Sequence, residues 1–358
     1  MGCTILRMNP SHNIYIHVPF CASKCRYCAF FSRACANPDW DTYTDGILSE
    51  IEHWGKMLGR VSVPTIFFGG GTPSLMPVKC FEKIISRIYQ HFDVVPDAEI
   101  TIESNPGTID EIKMRDFQAN GVNRISIGVQ SLVDEKLKYL GREHTVTDAI
   151  DTIKTAQRLG LRVSADFIYG LPNETVGDVI ETCKQINSLG LMHCSMYELT
   201  IEPTTPIGRE NPTMPTNDEM ADMYIAIGDT LCLPRYEVSN YATIGQECRH
   251  NLNIWDGAPY IGIGRGGAGR VYHNGICYEQ MGADERFLPI DTKTRALEKV
   301  IMGLRTTRGA QLTEDIKDVI NMDTVNKNPN LINIQNNRIS VSDAGMLVLD
   351  DILVKIVR

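Results

Sequence analysis

The chain has 358 residues, 43% hydrophobic and 22% charged, with a formal net charge of -9. This is the composition of a globular protein, not of a disordered one, and its acidic balance speaks against the broad basic surface that nucleic-acid phosphates require. No run approaches the roughly 20 apolar residues of a membrane helix, and residues 1–10 lack a secretory apolar segment, so a cytoplasmic protein with no transmembrane segment is expected; peripheral membrane contact stays open.

From the first apolar run onward, β-type and helical stretches alternate. Strands are predicted over residues 14–18, 65–68, 99–103, 124–128, 162–168 and 193–199, with amphipathic helices over 40–58, 78–92, 110–120, 147–159 and 176–189. Asn120-Gly121, Leu159-Gly160 and Leu189-Gly190 supply the left-handed stops of short helix-to-strand loops. Six such units predict an α/β fold, a partial (β/α)6 barrel of the TIM type over residues 1–200. Pro203, Pro206, Pro212 and Pro215 then break the rhythm. Residues 201–289 read as an elaborated segment extending the barrel, with a helix over 217–231 and a Gly-rich stretch, 260–269, that packs its backbone closely against a neighbour. Residues 290–358 read as a small C-terminal winged-helix-like domain.

Chemistry is expected where the βα loops converge, at the C-terminal ends of the strands. Directly after the first strand come Cys21, Cys25 and Cys28, spaced C-x3-C-x2-C. Three thiolates on one short loop can hold three irons of a cubane cluster and leave the fourth iron open to a small molecule. A zinc site completed from elsewhere and three unrelated buried thiols are the alternatives. Cys35 as a fourth thiolate would close the open iron. The remaining cysteines, among them Cys80, Cys183 and Cys232, read as small core residues, and the odd total of eleven fits a reducing compartment.

Gly69-Gly70-Gly71-Thr72 follows the second strand, either as a tight connection or as exposed backbone for a ligand. Glu103, Gln130 and Asp166 stand at the ends of the next three strands, a ring suited to a ligand bearing an amine, hydroxyls and a carboxylate. His17 reads as a packing group on the first strand. His250 reads as either a hydrogen-bonded structural residue or an iron ligand.

The order of His17-Val-Pro-Phe-Cys21, Phe68-Gly-Gly-Gly-Thr-Pro73, Glu103-Ser-Asn-Pro106, Ser126-Ile-Gly-Val-Gln-Ser131, Gly141-Arg-Glu-His144, Asp166-Phe-Ile-Tyr-Gly-Leu-Pro172 and His250-Asn-Leu-Asn-Ile-Trp255 resembles the radical SAM superfamily. Within it, the chain resembles the oxygen-independent coproporphyrinogen III oxidase-like group, closest to the haem-chaperone branch, HemW. The resemblance implies a 4Fe-4S cluster on Cys21, Cys25 and Cys28, with S-adenosyl-L-methionine on the open iron. It implies contacts to that cofactor from Tyr15, Tyr27, Gly70, Gly71, Thr72, Glu103, Gln130, Arg142 and Asp166, with Arg142 suited to a carboxylate.

It further implies haem held near His250, Asn251 and Trp255, haem-requiring target proteins as partners, and a flavodoxin or ferredoxin as electron donor. Reductive cleavage of S-adenosylmethionine is the chemistry within reach. Phe30 stands where the porphyrinogen dehydrogenases carry a fourth cysteine, which argues against that activity and for the chaperone branch; the alternative is a radical enzyme acting on a porphyrinogen or another substrate. The chain departs from the branch at Ile254, where a tyrosine is usual, and in the Gly264-Arg-Gly-Gly-Ala-Gly269 turn, which lacks a histidine.

Overall fold

The computed structural model describes residues 9–282 and 286–358; the expectation for residues 1–8 lies outside them. In chain order the first half runs β1 (Asn13–Val18), the two-residue β2 (Phe20–Cys21) and β3 (Arg33–Ala34), α1 (Trp40–Leu58), β4 (Ser62–Gly70), α2 (Val78–His91), β5 (Asp93–Ser104), α3 (Glu111–Ala119), β6 (Arg124–Gln130), α4 (Asp134–Leu140), α5 (Val146–Arg158), β7 (Arg162–Tyr169), α6 (Val176–Ser188) and β8 (His193–Glu198). Strands β1, β4, β5, β6, β7 and β8 are parallel neighbours in that order, the six-unit open barrel read from the sequence.

Each barrel strand has two faces of opposite character, because successive side chains alternate. Ile14, Ile16, Ile66, Phe68, Ile100, Ile102, Ile125 and Ile127 are buried in the main apolar core, on the side the helices cover. The opposite, inward face carries Tyr15, Glu103, Arg124, Ser126, Ser164, Asp166, His193 and Ser195 around a cavity. A barrel interior is ordinarily filled with branched apolar side chains; a polar one is available for binding. The helices start on strong caps: Thr145 with Asp148 and Thr175 with Asp178 form reciprocal capping boxes on α5 and α6.

The second half adds α7 (Pro206–Glu210), α8 (Asn217–Thr230), β9 (Asn240–Ala242), α9 (Arg249–Trp255), β10 (Tyr260–Ile263), β11 (Ala268–His273), β12 (Ile276–Met281) and β13 (Arg286–Ile290). Strand β10 returns to pair in parallel with β1, Asn13 opposite Tyr260, and β11 to β13 continue antiparallel from it. At the far edge β9 pairs antiparallel with β8. The result is one eleven-stranded sheet. The Gly-rich stretch is therefore β10 and its turn into β11, and it packs as closely as expected: a Cβ on Gly266 would lie 2.3 Å from His17 Nε2, and one on Gly262 would lie 2.3 Å from Ala268 O.

After α10 (Thr292–Leu304) come β14 (Ala310–Gln311), α11 (Glu314–Val319), α12 (Met322–Lys327), β15 (Ile332–Gln335), β16 (Arg338–Val341), α13 (Asp343–Met346) and α14 (Leu349–Ile356). Their apolar side chains form a second core that includes Ala296, Leu304, Ile316, Ile339 and Ile352. The β15–β16 hairpin turns on Asn336 and Asn337, both with positive φ, the conformation of a type I′ turn. Of the cysteines expected in the core, Cys80 and Cys183 are buried, whereas Cys232 is exposed, because it lies just past the end of α8.

Candidate functional site

The cysteine loop is closed at its base and anchored from three sides. Phe20 and Cys21 pair with Arg33 and Ala34, so residues 20–34 form one loop fastened at both ends. The amide of Gly71 donates to Val18 O and that of Thr72 to Phe20 O, each at 2.7 Å, tying the glycine turn to the loop. A Cβ on Gly71 would fall 2.6 Å from Phe20 O and 3.0 Å from Cys21 Sγ, so only glycine leaves the thiol its place. His17 is the third anchor: its Nε2–H donates to Phe31 O at 2.8 Å, while Nδ1 accepts from Tyr15 OH at 3.1 Å. Burial keeps this imidazole below its ordinary pKa, hence neutral. Tyr43 in turn donates to His17 O.

Around the loop the predicted polar residues come together. Arg142 donates to Cys25 Sγ at 3.2 Å, to Asn105 Oδ1 at 2.6 Å and to Gly128 O at 2.8 Å, and Asn105 donates to Thr72 Oγ1 at 3.0 Å. One path thus joins a cluster-loop thiol to the glycine turn. Tyr27 is half-buried beside Arg142 and Cys25, and burial raises its pKa. Gln130 sits in a β-bulge at φ 68°, a left-handed conformation rare for a residue with a side chain. A Cβ on Gly128 would meet Asn105 Oδ1 and Gln130 Nε2 at 2.8 Å, so the missing side chain opens the space these groups share. The amides of Gly70, Gly71 and Thr72 are all engaged within the protein, that of Gly70 by Glu103 Oε2 at 2.9 Å. What the turn offers a ligand is therefore carbonyl oxygens and the Thr72 hydroxyl.

Glu103 and Asp166 face one another across the interior. Burial, then the charge of Asp166, raise Glu103 to about 7, against the opposing Gly70 N–H. Burial also raises Asp166, held in check by the hydroxyls of Ser195, at 2.7 Å, and Ser126, at 2.8 Å. Asn105, Ser126 and Ser195 are site residues that the sequence reading missed. Asn105 alone had a signal, its place two residues past Glu103 at a strand end.

His250, Asn251 and Trp255 lie elsewhere, on α9, which plugs the N-terminal end of the barrel. The backbone amides of Arg249 and His250 donate to the Glu99 carboxylate at 3.2 and 2.9 Å, and Arg162 reaches the same carboxylate at 3.0 Å. His250 is buried and stacks on Phe67, with ring centroids 5.1 Å apart. Its Nδ1 lies 2.7 Å from Thr65 Oγ1, whose own proton goes to Asn13 Oδ1. Nδ1 is therefore the protonated nitrogen, and Nε2 keeps its lone pair. Burial lowers this imidazole to about 3. Trp255 packs toward Tyr236. Thr65 and Gly70 are five residues apart on β4, so about 16 Å of strand separates the plug from the cysteine loop.

An open parallel barrel with three loop thiols and a polar ring at the C-terminal end of its strands defines a class of cluster-bearing proteins. Residues 15–186 match the model of the radical SAM superfamily. The chain is 40% identical over 267 residues to the haem chaperone HemW of Escherichia coli, covering 73% of this chain and 71% of that protein, and 32% identical over 329 residues to HemW of a Synechocystis species, covering 82% and 78%. The structure of E. coli coproporphyrinogen III oxidase, HemN, a radical SAM enzyme, superimposes with a TM-score of 0.79 over 97% of this chain and 89% of that one, at 20% identity, a likeness of fold.

The chain belongs to the radical SAM superfamily and, within its HemN-like group, to the HemW family. Membership implies a 4Fe-4S cluster and S-adenosylmethionine. The donor set fits them: three thiols on one pinned loop, a guanidinium against one of them, and a glycine cradle against another. Among the described residues no three His, Cys, Asp or Glu side chains converge on a single-ion position, an arrangement that thiolates serving three separate irons do not need. No described helix is long and apolar enough to cross a membrane.

Proposed function

We propose that this chain is a cytoplasmic haem chaperone of the HemW type that binds haem and delivers it to haem-requiring proteins. Cys21, Cys25 and Cys28 hold the 4Fe-4S cluster. Thr72, Asn105 and Arg142 orient the methionine end of S-adenosylmethionine, and Tyr15, Tyr27, Gln130, Glu103 and Asp166 surround its nucleoside. When loaded, the pair supplies one-electron reductive chemistry, fed by a flavodoxin or ferredoxin. The chain's own residues fix the loop through His17, neutralise thiolate charge through Arg142, and exclude water from the ring. The observation that carries the cofactor reading is the hydrogen-bonded path from Cys25 through Arg142 and Asn105 to Thr72.

For haem, His250 has the protonation state of an iron ligand, Nδ1–H donated to a neighbour and Nε2 unprotonated. It is 2% exposed, so haem reaches it only when α9 moves off the barrel end. Phe30 in place of a fourth cysteine and the HemW relatives favour the chaperone over porphyrinogen oxidation. The test is a haemin titration of the reconstituted chain: a saturable Soret shift is expected, weakened in His250→Ala. An unchanged titration in that variant removes His250 as ligand. Loss of carboxyl groups from coproporphyrinogen III under reducing conditions overturns the chaperone reading.

A further inference from the structure

The inward face of the strands encloses a cavity of about 270 Å³, walled by Glu103, Ser126 and Asp166 at its upper end and by Cys248, His250 and Ile254 at its lower end. Arg124 enters it from β6. Its side chain is 2% exposed, and Nη1 donates to Gln246 O at 3.0 Å. Nη2 is buried with no hydrogen-bond partner among the described residues. Directly opposite Arg124 in the β5–β6 register stands Thr101, fully buried, whose hydroxyl also lacks a partner. Thr101 shares the inward face of β5 with Glu103 by strand alternation. Two neighbouring strands thus each present an unpartnered buried donor at one level; Arg124 lines the polar cavity, and Thr101 adjoins Arg124 through the strand register.

Arg124 shares its charge with Asp166 across the cavity, but a buried N–H left without an acceptor is still costly. The nearby carboxylates are engaged with other groups. Glu99 takes Arg162 and two α9 amides, Asp166 takes the hydroxyls of Ser126 and Ser195, and Glu103 takes the Gly70 amide. Arg124 Nη2 and the Thr101 hydroxyl are thus left to donate to an acceptor at their own level.

We propose that this cavity binds a short-chain carboxylate, its oxygens accepting from Arg124 Nη2 and the Thr101 hydroxyl and its carbon chain lying against Phe67 and Ile254. A planar guanidinium edge beside a hydroxyl matches a planar carboxylate better than a spherical halide. The whole cavity falls just below the range that encloses drug-sized ligands, and its upper end belongs to the ring assigned to the nucleoside, so the part at the level of Arg124 admits only a few carbons. The site lies beneath the ring assigned to the nucleoside: Arg124 is two residues below Ser126 on β6, about 7 Å down the strand. It uses neither the cluster loop nor the Nε2 of His250.

The test is thermal unfolding of the cluster-reconstituted full chain in sodium propionate and in sodium chloride at matched ionic strength. Propionate should raise the midpoint saturably above the chloride value, as a ligand of the native state does. Arg124→Lys should need about tenfold more propionate, having lost the fork of a charged hydrogen bond. Thr101→Val should also weaken the propionate effect while raising the midpoint in chloride, because it deletes an unpartnered buried hydroxyl; a purely structural threonine would not give both changes. Equal midpoints in the two salts, or propionate curves unchanged in both variants, overturn the proposal. Should the variants fail to fold, wild-type crystals soaked in 2-bromopropionate decide: bromine in the cavity supports the site, and ordered water alone refutes it.

Discussion

The two ends of the barrel are built on opposite plans. At the C-terminal end side chains are removed: Gly71 and Gly128 leave space for Cys21, Asn105 and Gln130, and the loop is held from outside by His17 and Tyr43. At the N-terminal end side chains are added and pair with one another, Arg124 Nη2 and the Thr101 hydroxyl excepted: Glu99 takes Arg162 and two helix amides, and Asn13 takes Thr65 and Asn253. The first end is preorganised around something to be bound. The second is a closure made of protein, so a haem that takes His250 as ligand must displace a helix.

The largest expected break between the ends is Cys25→Ser. Iron and acid-labile sulfide should fall from about four of each per chain to near zero, while the unfolding midpoint of the cluster-free chain stays where it was. A large drop in that midpoint would mean that Cys25 supports the fold, contrary to its half-buried place outside the core. Next comes Glu99→Ala, which strands Arg162 and two α9 amides. A loss of about 3–5 kcal/mol is expected by denaturant titration, with cluster content per folded chain unchanged. A loss below 1 kcal/mol would show that the lower closure is weak.

Titration separates the ends in sign. Glu103, raised to about 7 from 4.5, keeps a proton in the folded chain that the unfolded chain has released. Its contribution is complete below pH 4.5 and is lost as pH rises through 7. His250, lowered to about 3 from 6.5, does the reverse: its contribution is complete above 6.5 and is lost as pH falls through 3. Stability of the cluster-free chain against pH should therefore decline on both sides, by up to about 3 kcal/mol for Glu103 and up to about 5 kcal/mol for His250. Glu103→Gln should flatten only the upper limb, and His250→Gln only the lower. Flattening of the wrong limb would reverse the assignment. The smallest effect belongs to Phe30→Ser: the ring is 70% exposed, so stability should change by less than about 0.5 kcal/mol, and a larger loss would place it in the core.

The sequence made the barrel legible because each parallel strand carries apolar residues toward the helices, as Ile100 and Ile102 do, and ends in a turn. It concealed β10 because a Gly-rich strand has few side chains with which to show alternation. Seven-residue α4 was too short to display a helical period. Site residues were readable at strand ends, where Glu103 and Asp166 stand out. Arg124, Ser164 and Ser195 sit in mid-strand, where an inward polar residue and a solvent-facing one give the same alternating pattern. Only the sheet's curvature distinguishes them, and that depends on pairings between strands far apart in sequence.

The pairing of β1 with β10 sets a clock on synthesis. Asn13 cannot meet Tyr260 until nearly 250 further residues have been translated, about 12–50 s at roughly 5–20 residues per second. Throughout that interval one edge of the first strand is unpaired, and the turn that will hold His17 against the cysteine loop does not yet exist. Until residues 260–269 arrive, the three thiols sit on a loop whose three anchors, the β2–β3 pairing, the glycine turn and His17, lie within residues 17–72, and the packing of Gly264 and Gly266 on His17 is the last support to form.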